Sequence, residues 1–240
     1  MSSHLQYVPL SWPIYAFLFF AVAVLTVLVQ VGLLRYVYAR LGISPGTAML
    51  LLFTSLLGGY INIPIAILPE EIVVNTVHVD PFGFEYVVPE ADWTGTIIAI
   101  NLGGAVIPVL LSIFLLARNR IWIPALIATA IVTAVCYAVA EPIPGAGIAI
   151  PVLIPPIAAC LVSCIVAWAE APPVAYVSGS LGTLIGADLM NLDKIKGLGT
   201  PVVSIGGAGT FDGIFVTGLF AVILASLIGS IGARRAEGSV

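Results

Sequence analysis

Apolar residues run along this chain in long, nearly unbroken blocks. Short polar or glycine- and proline-rich breaks divide them into seven segments, at residues 12–36, 44–68, 93–117, 121–140, 149–169, 173–192 and 212–233. A helix needs about 20 apolar residues to cross the hydrocarbon core of a bilayer. The pattern therefore predicts an all-α membrane protein of about seven transmembrane helices, one polytopic domain over residues 1–240. The fifth segment is the least regular. Prolines at 142, 144, 151, 155 and 156 put the start of its helix near Pro155 or Pro156 and leave the preceding backbone extended or re-entrant. Between the second and third segments the spacing changes. "IVVNTVHVDPFGFEYVV" carries two β-branched and aromatic runs around Asp80-Pro81-Phe82-Gly83, a tetrad suited to a type I turn. A small β-hairpin lid is expected at about residues 70–90. "GGYINIP" (58–64) and "GGAVIP" (103–108) look alike but differ by one residue in spacing, so no internal repeat is assigned.

Composition agrees with hydrocarbon as the solvent. The chain is 60% hydrophobic and only 8% charged, against about 25% charged in soluble domains, and its mean hydropathy is +1.17. The lipid bilayer is the expected partner and the cell membrane the expected location, with multiple passes. The first apolar run has no preceding Lys or Arg and is longer than a signal-peptide core, which makes it a retained helix.

Charge placement sets the orientation. Arg35 and Arg40 follow the first segment, Arg118 and Arg120 join the third to the fourth, and Arg234 and Arg235 follow the seventh. With seven spans these places share one side, cytoplasmic by the positive-inside rule, and the N-terminus is outside. Lys194 and Lys196 are the exceptions. The hairpin region bears Glu70, Glu71, Asp80, Glu85, Glu90 and Asp92 with no Lys or Arg and falls on the extracytoplasmic side. No basic run resembles a nucleic-acid footprint. Cys136, Cys160 and Cys164 all lie inside apolar segments, read as small buried hydrophobes, so no disulfide, metal or cofactor is expected.

The informative residues are polar groups where none are needed. Asp188 lies late in the sixth segment and Asp212 opens the seventh, both toward the outer face. Gly206, Gly207 and Gly209 in the intervening loop allow the two ends to approach and, lacking bulky side chains, are the expected seat of an extended substrate strand. Asn62, Asn101 and Glu141 fall at similar depth. Two carboxylates brought together share a proton, and such a pair can act as base toward water and acid toward a leaving group. The same pair can bind and release a proton or cation during transport. Each residue also has a structural reading: Asp212 as a helix N-cap, Asp188 as a packed and hydrogen-bonded acid, the asparagines as interhelical glue and the glycines as close-packing positions.

"LLGGYINIPI", "NLGGAVIPV", "PIPGAGIAIP", "YVSGSLGTLIGADLMNL" and "SIGGAGTFDGIF" together resemble a prokaryotic family of multi-spanning membrane proteins, domain of unknown function 1614. That resemblance implies a membrane location and no particular activity. A looser one is to intramembrane aspartyl proteases of the presenilin and signal-peptide-peptidase type. These carry one catalytic Asp on a helix and the second in a Gly-x-Gly-Asp motif at the start of the next. Asp188 and Asp212 occupy comparable places. Phe211 stands where the motif has its second glycine, and Ala187 where a tyrosine precedes the first Asp. A Pro-Ala-Leu triplet is present at Pro124 to Leu126, before rather than after the aspartates.

Three functions therefore stay open. One is an intramembrane aspartyl protease-like hydrolase acting on a membrane peptide, with Asp188 and Asp212 catalytic. The second is a proton- or cation-coupled transporter or channel using the same acids, with Asn62 and Asn101 as ligands. The third is a structural membrane scaffold. No lysine lies within a span to carry a Schiff base, which counts against a retinal protein.

Overall fold

The computed structural model describes residues 31–33, 35–68, 72–79, 85–93, 95–143, 147–195, 202–207 and 213–237. It is mostly helical. The helical residues 31–33 and 35–40 form α1, followed by α2 (Pro45–Gly58), α3 (Ile107–Asn119), α4 (Trp122–Val139), α5 (Ile154–Val166), α6 (Ala171–Thr183) and α7 (Gly213–Glu237). Among the described residues, two apolar helical stretches are long enough to cross a bilayer, Leu102–Asn119 and Trp122–Val139. Only 28% of the second is buried inside the protein. Its outward side presents Ile123, Leu126, Ile127 and Ile131, and α2, α3 and α5 likewise expose Leu50, Phe53, Ile113, Leu161 and Ile165.

The all-α expectation needs correction, because the second and third apolar runs each change element midway. The run 44–68 is α2 only to Gly58 and continues as strand β1 (Asn62–Leu68). The run 93–117 begins as strand β4 (Thr96–Asn101), passes through a π-helical turn at Leu102–Val106 and only then becomes α3. The physical reasons are local. β-Branched isoleucines dominate "NIPIAIL" and "TIIAIN", and Pro64 would cost a helix interior about 3 kcal/mol. In the sheet Pro64 sits where proline is tolerated, on an edge strand beside a register shift.

That sheet has three strands in the order β1-β4-β7, with β7 spanning Val202–Ile205. β1 runs antiparallel to β4 and aligns Asn62 with Asn101, while β7 runs parallel to β4 and aligns Ser204 with Ala99. In the region of the expected lid, β2 (Ile72–Val79) and β3 (Glu85–Trp93) pair antiparallel, with His78 opposite Tyr86. A third small pair, β5 (Glu141–Ile143) and β6 (Gly147–Ala149), precedes α5. As the prolines indicate, α5 begins at Ile154 and has 13 residues. Of the first apolar run, 12–30 lies outside the described residues.

α6 is the axis of the bundle, with eleven of its 13 residues buried. It packs against α3, α4, α5 and α7. Glycines make that possible: a Cβ on Gly182 would lie 2.7 Å from Val132, and one on Gly186, just beyond α6, 2.4 Å from the Thr133 carbonyl. The direction of the helices separates two ends. At one, the Arg118 guanidinium lies beside Gly42 of the α1–α2 turn. At the other, Lys194, six residues after Asp188 in the chain, places its Nζ 4.7 Å from the centroid of the Tyr137 ring near the end of α4.

Candidate functional site

Two glycine pairs knit the sheet to the helices. Gly58 and Gly103 bring α2 and the π-turn into backbone contact, where a Cβ on Gly103 would stand 2.1 Å from the Ser55 carbonyl and 2.4 Å from Gly59 N. Ser55 Oγ donates to the Gly103 carbonyl at 2.9 Å across the same seam. The likeness of "GGYINIP" to "GGAVIP" thus has a spatial counterpart: the two glycine pairs touch and the strands beside them pair.

Asn101 locks this junction. It is 1% exposed. Its Nδ2 donates to the Gly59 carbonyl at 2.7 Å and to Asn62 Oδ1 at 3.0 Å, and its Oδ1 accepts Gly104 N–H at 2.8 Å. Asn62 Oδ1 also accepts the Ser204 hydroxyl, at 2.5 Å. A side-chain chain therefore crosses all three strands, from Asn101 through Asn62 to Ser204. Replacing Asn101 with Ala would strip partners from three polar groups, two of them in the buried junction. At about 1–3 kcal/mol for each buried group left unmade, we expect it to lower stability by about 3 kcal/mol or more. Thermal unfolding in detergent checks this, with Asn62→Ala, at an exposed position, costing less.

Asp188 ends a second π-helical turn, Leu184–Asp188, continuing α6. Its Oδ2 accepts the N–H of Gly206 at 2.7 Å. Gly206 and Gly207 have φ of 91° and 83°, a region that side chains rarely adopt. They turn the chain out of β7 so that an N–H faces the acid. Asn191, fully buried, closes the π-turn by donating to the carbonyls of Gly186 (2.8 Å) and Ala187 (2.9 Å).

Beside Asp188 is a cavity of about 220 Å³. Its polar lining includes Asp188, Thr183 and Ser204; Ile148, Ile205 and Ile214 are among its aliphatic walls. Ile148 comes from β6, Ser204 from β7 and Ile214 from the first turn of α7. A carboxylate fixed at one oxygen by a backbone N–H and set in aliphatic walls can exchange a proton or hold a cation. It can do so in a space that suits one side chain or a small ion.

The sequence candidates distribute as follows. Asp188, Gly206 and Gly207 are at this cavity or donate to its acid. Asn62 reaches it through Ser204, and Asn101 braces Asn62. Glu141 is exposed on β5 and does not line the cavity. Asp212 and Gly209 lie outside the described residues. Sequence reasoning missed Thr183, Ser204 and Asn191. For Asn191 a signal existed, its position one turn after Asp188 in "ADLMNL".

Helices of membrane length with apolar outer faces, and a small sheet walling an acid-bearing cavity at one end, define the class of protein. The chain belongs to the family described as protein of unknown function (DUF1614), which it matches over residues 56–224, well over half its length. All the candidate residues named above lie within that match. No curated protein and no solved structure matches it.

Proposed function

We propose that this is a multi-pass protein of the cell membrane, N-terminus outside, whose cavity serves an aspartate-dependent hydrolysis of extended membrane peptides. The observation that carries the reading is the union of an acid and a free strand edge. β7 walls the Asp188 cavity and is the edge of its sheet among the described residues. An unpaired edge can take up an extended chain by main-chain hydrogen bonds, and a helical peptide must be opened before its carbonyls can be attacked. Asp212 is two residues from the cavity-lining Ile214 in sequence, a chain length of about 7 Å. In the proposed step one carboxylate removes a proton from water, which attacks the amide carbon. The other, protonated, gives its proton to the departing nitrogen as the C–N bond breaks.

Purified protein reconstituted with a fluorogenic helical membrane peptide tests this. Asp188→Asn and Asp212→Asn are each expected to abolish cleavage without unfolding the protein. The double variant should be no worse than either single one, since residues acting as a unit do not add.

The oxygen-rich side of the cavity favours a second reading. Asp188 and the Thr183 and Ser204 hydroxyls suit a proton- or cation-coupled transporter. Cation-dependent flux in liposomes, lost with Asp188→Asn and accompanied by no cleavage, would replace the first reading with this one.

Orientation has its own check. Single cysteines at Thr76 and Asn119 are expected to react with impermeant thiol reagents from outside and from inside respectively. Reversed access would place the cavity on the cytoplasmic side.

A further inference from the structure

At the end of the bundle opposite Asp188 a second cavity, of about 490 Å³, opens between the α1–α2 turn and α3. This size lies within the range usual for small-molecule sites, about 300–1,000 Å³. Its polar rim consists of Arg118 with the hydroxyl residues Ser44 and Thr47, and its floor includes Leu51, Leu110 and Phe114. The rim and floor have different chemistries, and one ligand must satisfy both.

Arg118 is held at the mouth. Its guanidinium lies 5.7 Å from the centroid of the Phe114 ring and beside Gly42. No acidic side chain pairs with it among the described residues. An exposed, oriented and unpaired guanidinium is a fork for phosphate oxygens. Ser44 Oγ and Thr47 Oγ1 share a hydrogen bond of 2.9 Å on the same rim, which leaves the pair one hydroxyl proton to donate to an oxyanion. Leu110 of the floor is itself outwardly exposed, one turn of α3 from the exposed Ile113. A free anion would leave that floor unused, and a plain hydrocarbon would leave the guanidinium unused.

We propose that this groove binds an anionic phospholipid of the leaflet on the arginine side. The headgroup phosphate sits on Arg118 and takes the one free proton of the Ser44–Thr47 hydroxyl pair, and one acyl chain lies along Leu51, Leu110 and Phe114. The inference rests on the membrane placement proposed above but is independent of the Asp188 chemistry. Its consequence is a lipid that bridges the α1–α2 turn to α3 and secures the end of the bundle remote from the sheet.

The test uses the full chain, first in membranes and then in detergent. Alkaline carbonate should leave the chain in the membrane pellet; release would overturn the membrane placement and this proposal with it. Native mass spectrometry of the retained protein then compares phosphatidylglycerol with phosphatidylcholine of the same chains. We expect selective retention of phosphatidylglycerol, falling about tenfold in Arg118→Gln, as loss of a charge-assisted phosphate contact implies. Arg118→Lys should restore part of it. Arg40→Gln, at a residue that stacks on Tyr36 outside the groove, should lower retention clearly less than Arg118→Gln does. Equal retention of the two lipids, or an equal loss in Arg40→Gln and Arg118→Gln, would show diffuse charge attraction and overturn the site. Inorganic phosphate at millimolar concentration should not raise the thermal midpoint. If it stabilises the protein as well as phosphatidylglycerol does, the groove is an anion site and the lipid assignment fails.

Discussion

Gly103→Val should yield almost no folded protein, whereas Gly229→Ala should be indistinguishable from the parent. The contrast isolates geometry from composition, because both exchanges add apolar carbon to an apolar chain. At Gly229 a Cβ meets nothing within 4 Å. At Gly103 it would stand 2.1 Å from the Ser55 carbonyl oxygen, 2.4 Å from Gly59 N and 2.9 Å from the Gly58 carbonyl carbon. All three are backbone atoms and no rotamer can move them. Relief requires α2 to separate from the π-turn, which breaks the Ser55–Gly103 bond and misaligns the Asn62–Asn101 pairing. Overpacking a core commonly costs about 1–3 kcal/mol when side chains can yield. Here they cannot, and a total stability of about 5–15 kcal/mol leaves little margin. Yield of monodisperse protein in detergent is the measurement. Wild-type yield for Gly103→Val would mean that α2 and the π-turn are not in contact.

Gly206→Ala should disable the Asp188 site while leaving the helical bundle recognisable. The residue has φ of 91°, costing an L-residue about 1–2 kcal/mol. Its Cβ would stand 2.6 Å from both Ala105 N and Ala105 Cβ. The turn after β7 must shift, and the N–H held at 2.7 Å from Asp188 Oδ2 moves with it. Turnover or flux, whichever the protein supports, should fall at least about tenfold, equivalent to about 1.4 kcal/mol of lost positioning. Helical circular dichroism should stay near that of the parent. Gly207→Ala, also at positive φ, provides a comparison without the donor to Asp188. Equal activity in Gly206→Ala and the parent would remove the Gly206 N–H from the account of the site.

Much of the helical part was legible because apolar length is a strong signal where nothing contradicts it. α4 falls where "IWIPALIATAIVTAVCYAVA" places it, and the prolines before Ile154 locate the start of α5. The β1-β4-β7 sheet was not legible for a physical reason. Helix and strand are told apart by the period of polar positions, and "NIPIAIL" and "TIIAIN" offer almost no polar residue from which to read one. Each is also fused to a true helix, so the combined run reaches spanning length. Pro64 and the density of isoleucine were the available clues. In the site, Asp188 stood out because an acid is costly among apolar neighbours. Thr183 and Ser204 did not, since hydroxyls are common in apolar helices and turns, and nothing in their spacing marks a cavity. Glu141 was drawn in by its nominal depth at the end of α4. The β5-β6 pair turns it to the exterior instead.

The shortness of α5 has a consequence for the surrounding lipid. Its 13 residues span about 20 Å at 1.5 Å each, against a hydrocarbon thickness of about 30 Å. Around the proposed bundle, acyl chains facing α5 must compress or tilt, or the shortfall must be met by the non-helical stretch at 147–153. Gly147, Ile148 and Ile150 of that stretch line the Asp188 cavity. A thicker bilayer would therefore pull directly on one wall of the cavity. Bilayer thickness then becomes a control on the site, and short-chain lipids should support its activity better than long-chain ones.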